Sequence, residues 1–163
     1  MTRVFKYIFV TLLVIVVQTT MVQFLALQGI TPDLIVIWIV YLTLCEGQLA
    51  GSIWGFGIGL FIDLVSSSFL GLSALTKTIC GFVAGYFYNE NKTQMILSTY
   101  RFLVVVLVAA FVHNTIYFVV FTRGTDVSVL RAVAQFGLTS TLYTATMGLL
   151  PLFGFARKQM LSR

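Results

Sequence analysis

Apolar residues fill this chain in long runs, and polar residues gather between the runs instead of alternating with apolar ones. Six runs can be drawn. The first covers about Val4 to Leu27. The second opens at Thr31-Pro32-Asp33 and reaches about Leu44, and the third covers about Leu49 to Leu64. The fourth runs from about Leu72 to Tyr88, the fifth from Phe102 to Phe121 and the sixth from Val133 to Phe155. A helix needs about 20 apolar residues to cross a bilayer, so the pattern predicts an all-α, polytopic membrane protein of about six transmembrane helices in one domain, residues 1–163. The second run is short for a full crossing, so it is expected to be tilted, partly extended or re-entrant. Pro151 is expected to kink the end of the sixth.

The breaks carry local signals. Gln28-Gly29-Ile30 reads as a tight turn. After it Thr31 can cap, Pro32 suits a first helical turn, and Asp33 favours the positive end of the helix dipole. Cys45-Glu46-Gly47-Gln48, Ser66-Ser67-Ser68 with Gly71, and Arg123-Gly124-Thr125-Asp126 are read as connections. Asn89-Glu90-Asn91-Lys92-Thr93-Gln94 is the longest polar stretch.

Gly47, Gly51, Gly55 and Gly59 recur every fourth position, and the next step lands on Asp63. In water each glycine would weaken a helix by about 1 kcal/mol relative to alanine. In lipid the missing side chains instead let a second helix approach closely. The series is therefore expected to form a smooth ridge that receives a neighbouring helix, from this chain or from a partner. A step of four drifts by about 40° at 3.6 residues per turn, which suits a right-handed crossing better than a long seam. Gly81 and Gly85 in the fourth run repeat the spacing, as do Ser140, Thr144 and Gly148 in the sixth.

Composition agrees with a membrane origin. Of 163 residues 59% are hydrophobic and 9% charged, with mean hydropathy +1.00, whereas a soluble domain carries about 25% charged residues. The net charge of +5 does not point to nucleic acid, because the basic residues stand singly between apolar runs. Arg3, Lys6, Lys92, Arg101, Arg157, Lys158 and Arg163 fall on one side of a six-span arrangement. Arg123, Arg131 and Lys77 fall on the other. The richer set is expected inside, with both termini cytoplasmic. The first run has no small-x-small site after it and is read as a retained span, not a cleaved signal peptide. Cys45 and Cys80 are too few for a metal site and are read as packing residues.

Asp63 is costly in a bilayer. It can lock the hairpin between the third and fourth runs, by pairing with Lys77 or by capping. It can also contact a partner protein, or serve as a proton or substrate site. His113 and Asn114 are expected to hydrogen-bond between helices, Asp33 to start a helix, and Glu46 and Glu90 to be solvated loop acids. No nucleophile elbow, phosphate loop or paired intramembrane aspartates are present. No catalytic activity, cofactor or metal is expected.

Pro32-Asp33-Leu34, then Gly51-x-x-x-Gly55-Phe56-x-x-Gly59-Leu60-x-x-Asp63, then Gly71-Leu72 resemble the MreD family of rod-shape-determining membrane proteins, and Gly81 and Gly85 resemble its fourth span. The resemblance covers nearly the whole chain. It implies a non-enzymatic scaffold of the bacterial inner membrane that binds MreC. Through MreC it would connect to MreB, RodA and a class B penicillin-binding protein in the peptidoglycan-synthesising elongation machinery. It also implies a fold similar to the substrate-binding subunits of energy-coupling-factor transporters. The competing expectation is a subunit of a small-molecule, vitamin-type transporter, with Asp63, Lys77 and His113 lining an outward pocket.

Overall fold

The structure is a computed structural model that describes residues 2–20, 31–66, 70–122, 130, 133–152 and 154. Among these residues every regular element is helical. In chain order they are α1 (Thr2–Thr20), α2 (Leu34–Glu46), α3 (Gln48–Ser66), α4 (Leu72–Gly85), the short α5 (Thr93–Leu97), α6 (Arg101–Phe121) and α7 (Leu138–Met147). A 3-10 turn, Glu90–Lys92, precedes α5, and a π turn, Val133–Gly137, leads into α7. The polar stretch after α4 is thus helical over part of its length, with the Asn89 side chain accepting from the Asn91 N–H.

The bundle is organised around α2. Its sequence, LIVIWIVYLTLCE, is apolar on every side, and a helix of that kind must be enclosed by others. Val36, Ile39, Val40, Leu42 and Leu44 have no exposed surface. The remaining numbered helices all pack on it. The longer helices α1, α3 and α6 lie outside and show apolar side chains outward, among them Phe5, Phe9, Ile53, Phe56, Leu64 and Phe111. A water-soluble surface does not tolerate such continuous apolar faces.

Among the described residues, only α1, α3 and α6 are long and apolar enough to cross a membrane, at 18 to 21 residues. α2 and α4 have 13 and 14 residues, which at 1.5 Å per residue rise about 20 Å against a hydrocarbon layer of about 30 Å. The six runs therefore do not become six full-length helices. The sixth is divided: after the π turn, α7 ends at Met147, four residues before Pro151, whose ring would meet that residue's carbonyl and whose nitrogen cannot donate to it.

Gly47 does not belong to the ridge. It links α2 to α3 with φ +96°, a left-handed-side conformation that side chains disfavour, and its N–H returns to the Thr43 carbonyl at 2.9 Å. The other glycines line a close antiparallel contact between α3 and α4. A Cβ on Gly55 would strike the Lys77 carbonyl, one on Gly59 the backbone of Ser73 and Ala74, and one on Gly81 the Gly51 carbonyl. Gly85 lies against Gln48, and Gly51 also receives the Thr43 side chain of α2. With small residues contributed by both helices, contact persists from Gln48 to Asp63. It is a long seam, not the brief crossing expected from one helix alone. The ridge is occupied by this chain's own α4, so it is not a free surface for a partner.

Gly57 sits on the other side of α3, where a Cβ would find open space, with no atom within 4 Å. Gly59→Leu should separate α3 from α4 and destabilise the fold by at least about 1–3 kcal/mol, the usual range for overpacking. Gly57→Leu should leave stability within about 0.5 kcal/mol of wild type. Unfolding of both variants in detergent, followed by tryptophan fluorescence, checks the contrast.

Candidate functional site

Two carboxylates, Asp63 fully buried and Asp33 partly buried, organise the polar interior, and each serves the start of a helix. Gly71 is the N-cap of α4, with φ +94° and no side chain to cap with. Asp63, fully buried at the end of α3, supplies that function from across the seam. Its oxygens accept the N–H groups of Gly71 at 2.9 Å and of Ser73 and Ala74 at 3.2 Å. Four N–H groups at a helix start lack partners within the helix, and the dipole there favours an anion. Asp63 therefore locks the hairpin by capping. It does not pair with Lys77, because its oxygens face backbone donors at the turn while Lys77 reaches elsewhere.

Asp33 is the N-cap of α2, two residues beyond the capping position expected for Thr31. Its Oδ1 accepts from the N–H groups of Ile35 and Val36 at 3.0 and 3.1 Å. Its Oδ2 accepts from Lys77 Nζ of α4 at 3.0 Å and lies 3.4 Å from His113 Nε2 of α6. The Asp33 N–H donates to Thr144 Oγ1 of α7 at 3.0 Å. Around this carboxylate the chain adds further ties. Gln18 of α1 donates through Nε2 to the Pro32 carbonyl at 3.0 Å and accepts the Leu34 N–H at 2.9 Å. Ser140 donates to the Thr31 carbonyl at 3.4 Å, and Asn114 Nδ2 donates to Thr141 Oγ1 at 3.0 Å. The start of α2 is thereby held by four other helices.

Beside this cluster lies a cavity of about 350 Å³, lined by Asp33, Lys77, His113, Asn114 and Tyr117 among others. Asp63 is not part of its wall, so the pocket expected from Asp63, Lys77 and His113 forms with Asp33 in the acid's place. His113 Nδ1 is buried without a hydrogen-bond partner. Lys77 has further N–H groups beyond the one Asp33 accepts. The wall can thus offer a donor.

Lys77 lies within α4, is 5% exposed and neutralises Asp33. Glu46 is not a loop acid but the last residue of α2, where it accepts from the Tyr7 hydroxyl at 2.8 Å. Cys45 and Cys80 are free thiols, Cys80 fully buried. The turn at residues 28–30, Ser67 and Ser68, the connection at 123–126 and the basic residues Arg131, Arg157, Lys158 and Arg163 lie outside the described residues. Gln18 and Thr144 join the site without having stood out in the sequence as members of it. A lone amide within the first apolar run was the available signal for Gln18.

The family model for the rod shape-determining protein MreD matches residues 1–158. The chain belongs to that family. No curated protein and no solved structure matches it.

Asp33→Asn preserves a capping oxygen but leaves the Lys77 ammonium buried and unpaired, which should cost about 3–5 kcal/mol. Lys77→Met should cost a similar amount by stranding the carboxylate. The double variant should fall well short of the sum of the two. Unfolding free energies of the three proteins in one detergent test this; additive losses would show that the two residues act independently.

Proposed function

We propose that this chain is a non-enzymatic scaffold of the bacterial inner membrane, acting in the complex that elongates the peptidoglycan wall of rod-shaped cells. In this reading six segments, two of them helices shorter than the hydrocarbon layer, carry it across the membrane as a single unit with both termini in the cytoplasm. It binds MreC, and through MreC is connected to MreB filaments, RodA and a class B penicillin-binding protein. The observation that carries the reading is how the two interior carboxylates are used. Asp63 is committed to three backbone N–H groups and Asp33 to two backbone N–H groups and one ammonium. These groups hold helices together, and a body fixed in this way suits a component that positions others. Family membership supports the shape-determining role.

The polar cavity favours a second reading, a small-molecule binding subunit, because Lys77 and His113 share its wall with Asp33. Isothermal titration of the purified protein against water-soluble vitamins separates the two. Tight, stoichiometric heat would favour the transport reading.

In a rod-shaped host whose own copy is this chain, deletion should round the cells and the wild-type chain should restore rods. A tagged chain should recover MreC from solubilised membranes. Rods that persist after deletion, or a pull-down without MreC, would overturn the scaffold reading.

A further inference from the structure

A second cavity, larger than the polar one at about 610 Å³, opens beside α1. It is a groove between α1 and the bundle, with an apolar wall of Val10 and Val14 from α1 and Ile37, Trp38 and Met147 from α2 and α7. α1 stands partly away from the other helices. Along its inner face, three rungs tie it to them among the described residues: Tyr7 to Glu46, Thr11 to Trp38 Nε1 at 2.9 Å, and Gln18 to the start of α2. The groove lies to one side of those rungs.

Its α1 wall is ordered by chemistry. Arg3, Lys6, Val10 and Val14 all line the groove and fall within about 80° of one another at 3.6 residues per turn. The two cations occupy one end and the two valines the other. Neither Arg3 nor Lys6 makes an ion pair or hydrogen bond among the described residues. From Arg3 to Val14 the helix rises about 16 Å at 1.5 Å per residue, close to half of the about 30 Å hydrocarbon layer. The groove therefore has about the length of one leaflet, with a cationic mouth at one end and an apolar floor at the other. Tyr7 and Trp38 flank it with the amphipathic rings favoured near membrane interfaces. Among the described residues no acid lines the groove, and Glu46, which the Tyr7 hydroxyl engages, is not part of its wall, so the mouth is net positive.

We propose that this groove is a binding site for a phospholipid with an anionic headgroup, whose phosphate is held by Arg3 and Lys6 and whose acyl chain lies along Val10 and Val14. A basic pocket between membrane helices is the type of surface that selects anionic lipids from a mixed bilayer. The charge order along α1 favours a lipid over a partner helix, because a helix would bury both cations without an anion to meet them.

The test uses purified full-length protein in detergent and native mass spectrometry. It is offered phosphatidylglycerol and phosphatidylcholine with identical acyl chains. Retained phosphatidylglycerol should exceed phosphatidylcholine at least fivefold. Arg3→Gln with Lys6→Gln should bring the ratio to near one without changing the unfolding temperature. Val10→Trp, which fills the floor and keeps both cations, should lower retention of both lipids. Free glycerol phosphate should not displace the bound lipid, since it has no acyl chain to occupy the groove. Equal retention of the two lipids by wild type, a preference that survives loss of both cations, unchanged retention in Val10→Trp, or displacement by glycerol phosphate would each overturn the proposal.

Discussion

A helix that begins inside an apolar bundle exposes backbone N–H groups where no water can satisfy them, and each one left unpaired costs several kcal/mol in such surroundings. The two short helices α2 and α4 face this constraint most directly, since neither is long enough to carry both of its ends through the hydrocarbon. The chain answers with one aspartate at each start. Asp33 caps its own helix, while Asp63 reaches across to a helix whose capping position is a bare glycine. Both carboxylates accept from consecutive backbone donors, so both sit at the positive end of a helix dipole.

The two arrangements differ in how their charge is balanced, and that difference builds the bundle. Asp63 ends its role within the α3–α4 hairpin. Asp33, only partly buried, has one oxygen left over, and that oxygen meets a countercharge. Lys77 provides it from α4, and the seam is what makes that possible. Gly55 admits the Lys77 backbone so closely that a Cβ there would collide with its carbonyl. This fixes the height of α4 and hence the level at which its ammonium meets α2. The glycine seam and the ion pair are thus one construction: the first sets the register that the second needs.

Much of this was legible along the chain. Spacing of four among glycines indicated a close helix contact, and the acid at its end had capping among its expected roles. What could not be read was which groups meet. Asp33 and Lys77 lie 44 residues apart, and nothing local distinguishes that pairing from one between Asp63 and Lys77. The choice follows from geometry. Asp63 is filled by three N–H groups from the turn beside it, which leaves Lys77 for the other acid. Gly47 shows the opposite limit. It continued the period of four, yet its role comes from a positive φ between two helices, a property that periodicity does not report. The division of the sixth run reflects Pro151, whose effect falls at a residue four positions earlier.

The internal use of the ridge changes what the outer surface offers. Between helices in lipid there is little hydrophobic driving force, because acyl chains are as apolar as leucine, so association depends on close packing, polar contacts and lipid. The residues best suited to close packing, Gly51, Gly55, Gly59 and Gly81, already face this chain's own helices. The outward faces of α1 and α3 are instead large and apolar, as at Phe5, Phe9, Ile53, Phe56 and Leu64. A helix docking there meets bulky side chains on most of the surface and an open notch at Gly57. That notch lies beside a groove of about 360 Å³ between α1 and α3, lined by Ile8, Leu12, Ile53 and Phe61. Any affinity for a neighbour on this side must therefore arise from how well it interlocks with these shapes and from the lipids it displaces. The strong directional contacts described above have been drawn inward, where they keep the helix starts satisfied.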